Sequence, residues 1–336
     1  MADTRLCGLV NRGNRCYQNA CIQALYHTPQ LTQIARLHLT RPRMNARSDM
    51  LDQWTRLIGA MASPRAGIVN PKGFVEAVRL QAAADGFHEL TGDSQSDIDE
   101  FLIFLLSAIH RCRARKVNMR ISGEAENDVD VLATKCYDML RREHAGEFSE
   151  VLSTFQGVQV ARTVCVSTGR ILNSHPESFL GLPLPIVGAH ARTVMSCLDE
   201  FCADADLSGP NAYEVEAGVK VNARRGVRFW SLPHVLVLHL KRCTAPGQKT
   251  HVLVTCPLST IDLSPYVVGY GSTSYRYKLY AVCQHHGGAH GGHYTATVQP
   301  AGSRSWYHCN DTVITRASPG QVVTSRSSTF FLRKIK

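Results

Sequence analysis

The sequence has no apolar run long enough to cross a bilayer. Its longest, residues 101–109, is broken by Ser107 and bounded by Glu100 and His110, against the ~20 residues that a spanning helix needs. It also lacks an internal repeat, a low-complexity block and a collagen-like period, which excludes solenoid, disordered and fibrous classes as global descriptions. Near the N-terminus, Asp3, Arg5, Arg12 and Arg15 interrupt any apolar stretch, so no secretory signal is expected and a cytoplasmic or nuclear setting follows. What is present is ordinary globular composition: 336 residues, 44% hydrophobic and 19% charged, about two domains' worth of chain by length.

Twelve cysteines are scattered through the chain rather than grouped as in a small secreted scaffold, so they are expected to be reduced thiols. The net charge of +10 invites an acidic partner. Its densest cluster, Arg111, Arg113, Arg115 and Lys116, falls at an expected helix C-terminus, where the helix dipole favours cations anyway, and nucleic acid is not expected as a partner.

The first third reads as helical and the last third as strands, the order of an α+β protein, with a boundary expected near residue 150. From Tyr17, the residues Ala20, Cys21, Ala24 and Leu25 form an apolar stripe that Pro29 should close. Ile98, Phe101, Leu102, Leu105, Leu106 and Ile109 share a second helical face, with Ser94 and Asp97 at capping-box spacing. Val129, Leu132, Ala133, Cys136 and Leu140 repeat the pattern. Strands are expected at 235–240, 251–255, 275–282, 294–298 and 329–333, and a surface loop at 264–274.

A cysteine nucleophile needs a thiolate-favouring setting, a base, a group to orient the base, and donors for an oxyanion. Cys16 should open the first helix, where the partial positive charge of the N-terminus can lower a thiol pKa; the bland alternative is a structural buried thiol. Asn11 supplies an amide upstream of it. His293 follows Gly287, Gly288, Gly291 and Gly292 and opens an alternating strand, a place suited to a base that meets a substrate backbone closely. The crowding of His285, His286, His290 and His293 leaves a metal site as the competing reading, although no Cys or carboxylate within the tract completes a ligand pattern. Asn310 and Asp311, beyond Trp306, could each accept from an imidazole N–H.

These residues carry a resemblance. GLVNRGNRCYQNACIQAL at 8–25 resembles the cysteine box of the ubiquitin-specific protease family, and YKLYAVCQHHGGAHGGHYTATV at 277–298 its histidine box. QSDIDEFLIFLL from Gln95 and SLPHVLVLHLKRC from Ser231 are similar to two further family blocks, in family order and over nearly the whole chain. The resemblance implies an α+β, papain-like cysteine protease fold: a helical thumb over 1–150 carrying the nucleophile, and β-rich fingers and palm over 151–336 carrying the base, in one catalytic domain. It implies Cys16 as nucleophile, His293 as general base, Asn310 or Asp311 as the group orienting it, and Asn11 as the oxyanion amide. It further implies that Asp97, with Glu100 one turn on, holds the basic, Gly-Gly-ending tail of ubiquitin, and that Tyr294 walls the channel. For Asp97 a helix cap, and for Tyr294 an ordinary strand aromatic, are the structural alternatives.

The chain departs from the family where the fingers often hold zinc between two Cys-x-x-Cys pairs: Cys165 remains, but Thr168, Val215 and Gly218 stand at the other positions. One thiolate cannot hold structural zinc, so no metal and no cofactor are expected. Arg15 stands where Thr usually precedes the nucleophile, Asp99 lies inside the helix block, and Cys243 stands where Phe usually ends the Leu-Lys-Arg strand. The expectation is a monomeric thiol-dependent deubiquitinase acting on ubiquitin, polyubiquitin and ubiquitinated proteins, with no membrane partner. The alternatives are an inactive ubiquitin-binding module and a protease for another Gly-Gly-ending modifier.

Overall fold

In the computed structural model, residues 6–40, 49–63, 67–244, 247–289 and 291–335 are described. Helices dominate as far as residue 155: α1 Cys16–Tyr26, α2 Pro29–Thr40, α3 Asp49–Ala62, α4 Lys72–Asp85, α5 Ile98–Arg113, α6 Asp128–Gly146 and α7 Glu150–Phe155. Strands take over from Gly157–Cys165 onward, so the change of character falls within a few residues of its expected place.

Two sheets follow. A four-stranded sheet runs Ile171–Phe179, Gly157–Cys165, Ala223–Ser231, Ala205–Leu207. An eight-stranded sheet runs Val313–Ala317, Trp306–Asn310, Gly292–Val298, Arg276–Gly287, Ser327–Lys334, Val235–Lys241, Leu182–Pro185, with Thr260–Asp262 alongside Arg276–Gly287. The larger sheet is buried on both faces, which explains why its central strands read as apolar runs rather than alternations. Val235, Val237 and Phe331 face the core that includes α1 to α5, while Leu236, Leu238, Phe330 and Leu332 face a second core with Val194, Cys197 and Leu198. α6 closes the smaller sheet, setting Leu132, Ala133, Cys136 and Met139 against Val158, Val160 and Trp230.

Several local expectations need correction. α1 is not a stripe against solvent: all of its residues are buried, including Gln18, Asn19 and Gln23. Its polar side chains are drawn inward by hydrogen bonds, as when Gln23 Nε2 donates to the Cys7 carbonyl at 2.7 Å. Pro29 opens α2 rather than merely ending α1, since a first helical position needs no amide donor. α5 is capped by Asp97 alone, whose carboxylate accepts from Asp99 N at 2.8 Å. The strand expected at 251–255 shrinks to Val254–Thr255, and the loop at 264–274 is anchored by Tyr266, which is buried and donates its hydroxyl to Asp199 at 2.6 Å.

The basic cluster is structural. Arg113 is 1% exposed and lies 3.5 Å from Glu150, Arg115 reaches the same carboxylate at 3.0 Å, and Arg111 pairs with Asp85. These guanidinium groups fasten α5 to α7 and α4 instead of forming a free basic face. Among the described residues no helix is long and apolar enough to cross a membrane.

Because Arg113 is buried, removing its acidic partner leaves an uncompensated charge in the interior. Glu150→Ala is expected to lower unfolding free energy by about 3 kcal/mol in urea titrations, well beyond an exposed ion pair.

Candidate active site

The first turn of α1 lies against the Gly292–Val298 strand. Cys16 is 1% exposed, and its thiol is close enough to the backbone of Tyr294, the residue after His293, for that backbone to favour the thiolate. The chain thus brings the helix that Cys16 opens and the strand that carries His293 together from opposite ends of the sequence. His293 Nε2 is 2.7 Å from Asn310 Oδ1 and 3.9 Å from Asp311 Oδ2. With Nε2 donating to Asn310, Nδ1 is the ring nitrogen that carries the lone pair of the neutral imidazole.

Asp311 anchors this corner. It is a non-glycine residue at positive φ (48°), at the turn between Trp306–Asn310 and Val313–Ala317. Its Oδ2 accepts from Asn11 Nδ2 at 3.0 Å and its Oδ1 from Asn19 Nδ2 at 2.8 Å. Its carbonyl accepts from Leu9 N at 2.8 Å. Gly8 is required beside it, since a Cβ there would sit 2.4 Å from the Thr312 carbonyl oxygen.

Two features of this geometry bear on those expectations. The Asn11 amide expected at an oxyanion is committed to Asp311, and its Oδ1 accepts from Arg15 N at 3.2 Å. Nor is the Cys16 thiol shifted down. Burial pushes it above its ordinary value, the Asp311 charge pushes the same way, and backbone donors from Tyr294, Tyr17 and Cys16 itself only partly offset them. Desolvation outweighs the helix N-terminus because the whole first turn is buried.

Tyr294 also lines a cleft of 230 Å3 whose other walls include Asp97, Asp99, His285, His239 and Lys249; Cys16 and His293 are not among its lining residues. Asp97 is therefore both cap and wall; burial of its carboxyl, together with the charge of Asp99, pushes its pKa up. Glu100 is exposed and absent from the lining. The second acid in the cleft is instead Asp99, which pairs with His239 and accepts from Thr329 Oγ1 at 2.8 Å. Tyr294 stacks on His285 with ring centroids 4.3 Å apart. Lys249 ties the opposite wall, donating to the carbonyls of His285 and Gly287 at 3.1 and 3.0 Å and lying 2.6 Å from His285 Nδ1.

The histidines of the glycine tract are dispersed among separate partners: His285 on Lys249 and Tyr294, His286 3.4 Å from Thr295 Oγ1, and His293 on Asn310. His290 lies outside the described residues, and among the described residues no group of three or more His, Cys, Asp or Glu is placed to hold a metal. In the region compared with zinc-bearing fingers, Cys165 Sγ is 3.3 Å from Ser167 Oγ, and Val215 and Gly218 belong to the Tyr213–Glu216/Val219–Val221 hairpin.

Sequence reasoning missed Asn19, Gln95 and Lys249. Asn19 was hidden because a polar residue on an apolar helix reads as solvent-facing. Gln95 opens one of the four blocks, and its amide grips Gly292 at both ends, with Oε1 accepting from Gly292 N at 2.7 Å and Nε2 donating to the Gly292 carbonyl. A role for it could have been sought from its place in that block; nothing in sequence marks Lys249.

His285 and His286 are both held down to about 4, by burial first and then by neighbouring cations such as Lys249 and Arg326. Both are thus neutral in the folded protein where the unfolded chain, near 6.5, begins to take up protons. Their contribution to stability is whole above 6.5 and is lost as pH falls towards about 4. Urea midpoints are expected to drop between about pH 7 and 5, and the drop to be smaller in His286→Gln.

A family profile described as ubiquitin carboxyl-terminal hydrolase matches residues 7–332. Ubiquitin carboxyl-terminal hydrolase Usp2 of Drosophila melanogaster is 29% identical over 98% of this chain and 35% of its own length. Ubiquitin carboxyl-terminal hydrolase 2 of Homo sapiens is 31% identical over 97% of this chain and 54% of its own. The chain therefore spans about a third to a half of the length of these relatives. A solved structure of the SAGA DUB module (Ubp8, Sgf11, Sus1 and Sgf73) bound to monoubiquitin superposes on the whole chain with a TM-score of 0.76 at 22% identity, covering 70% of that neighbour and supporting the fold. With the profile match running through both sheets and all the helices that build the cleft, the chain belongs to the ubiquitin carboxyl-terminal hydrolase family.

Proposed function

We propose that this chain is a thiol-dependent deubiquitinase that cleaves the bond after the C-terminal glycine of ubiquitin. The observation that carries the reading is the meeting of the Cys16 thiol with the backbone beside His293, whose Nε2 is held by Asn310. In this mechanism His293 Nδ1 takes the proton from Cys16 as the sulfur attacks the glycine carbonyl. The resulting imidazolium returns a proton to the departing lysine amine, and water then releases the acyl group from sulfur with His293 again as base. A neutral amide at Asn310 serves because the ion pair formed by thiolate and imidazolium is already balanced.

The cleft fits the substrate's end. Asp97 and the stacked pair Tyr294 and His285 line a passage for an extended, glycine-ended segment, with Asp97 and Asp99 as its acids and Lys241, Arg242 and Lys249 as its cations. The neutral thiol of the free protein belongs to a resting state. An oxyanion would draw on the Cys16 backbone N–H, and on Asn11 once its amide leaves Asp311. In the same proposal the helices up to residue 150 form the thumb, the larger sheet the palm and the smaller sheet the fingers. The protein acts as a monomer on ubiquitin, polyubiquitin and ubiquitinated proteins in cytoplasm or nucleus, without a cofactor.

The test is covalent capture by ubiquitin carrying an electrophile at its C-terminus. One adduct per chain is expected for the native protein, none for Cys16→Ala, and a strongly slowed reaction for His293→Ala; an adduct surviving Cys16→Ala refutes the assignment. Saturable ubiquitin binding without labelling of the native chain would instead identify an inactive binding module. With a fluorogenic ubiquitin substrate, Asn310→Ala is expected to lower kcat about 10²-fold with KM little changed. Asp97→Ala is expected chiefly to raise KM, by about tenfold.

A further inference from the structure

A second concave site lies on the larger sheet, at the end of the Gly292–Val298 strand away from His293. It is a hollow of 300 Å3 whose walls include Lys278, Arg304, Arg333, Gln299 and Ser303, and no Asp or Glu is among its lining residues. Its volume is at the lower end of small-molecule sites.

The charge arrangement is built against the sheet's own stability. Lys278 and Arg333 are direct cross-strand partners in the antiparallel pair of Arg276–Gly287 with Ser327–Lys334, so two cations stand side by side on one face. Like charges in that relation repel and destabilise a sheet. Arg333 is held in place: its guanidinium lies 4.6 Å from the Tyr280 ring centroid and donates to the His27 carbonyl at 3.2 Å. Its Nε is buried and has no hydrogen-bond partner among the described residues, a donor left unsatisfied at the hollow's wall. Arg304 is a third cation in the lining, and Gln299 and Ser303 add neutral polar groups.

We propose that this hollow is a binding site for a compact anion bearing closely spaced phosphate groups, free or carried on a peptide, with Lys278, Arg304 and Arg333 as its cationic contacts. Several cations without a carboxylate suit multiple anionic charge, and guanidinium groups suit phosphate oxygens in particular. The site shares no residue with the cleft, so it stands whether or not the proteolytic reading does.

Titration calorimetry at about 0.15 M salt with tripolyphosphate, and separately with a doubly phosphorylated peptide, tests it. One-site binding of either supports the proposal and tells which source the hollow accepts. The variant Lys278→Gln/Arg304→Gln is expected to bind at least tenfold more weakly. These two exposed side chains leave the Arg333 packing intact, and the ligand-free variant is expected to melt no lower than the native protein because like-charge repulsion is relieved. Failure of both ligands to bind the native chain, or binding unchanged in the double variant, overturns the proposal.

Discussion

The carboxylate of Asp311 holds together segments that lie 300 and 292 residues apart in the chain. One oxygen takes the amide of the loop before Cys16 and the other takes an amide of the helix that Cys16 opens, while the carbonyl takes Leu9 N. Left-handed backbone at a non-glycine residue is unfavourable by itself and persists where surrounding bonds over-determine it. Those three bonds do so here. The same turn presents Asn310 to His293, so the position of the imidazole and that of the sulfur are consequences of one knot.

Burial shapes both the strength and the temper of the site. α1 is enclosed on all sides, and this gives the sulfur a fixed place against the Tyr294 backbone. It also makes the thiolate costly, because a charge in a desolvated turn loses more hydration than backbone donors return. Positional accuracy and a neutral resting thiol have one cause. The loop ahead of His293 is treated differently: Gln95 holds Gly292 by its backbone, and Lys249 holds the carbonyls of His285 and Gly287, so a glycine-rich segment gains order from side chains of other elements.

The larger sheet makes this possible by serving two cores at once. Alternate residues of Val235–Lys241 and Ser327–Lys334 enter opposite cores, so the sheet cannot slip by one residue without exchanging its faces. Cleft and basic hollow are each lined in part by the neighbouring strands Arg276–Gly287 and Gly292–Val298 or the turns that continue them, with tyrosines 294 and 280 packed beside charged neighbours.

The sequence by itself determined the division into helical and strand-rich parts, the helices at Ile98–Arg113 and Asp128–Gly146, and the family, because apolar periodicity and four ordered blocks are local records. It was least informative where a side chain's partner lies far along the chain. Asn11, Glu100, Arg113 and Asn19 each carry a chemistry that spacing can suggest, yet whether an amide meets an oxyanion or Asp311, or a guanidinium meets solvent or Glu150, depends on which distant atoms arrive beside it. Only the tertiary structure decided that Asp99 and not Glu100 enters the cleft, that the thiol is raised and not lowered, and that Lys278 stands against Arg333. Desolvation and hydrogen-bond satisfaction are properties of packed surroundings, and no residue carries its surroundings in its own name.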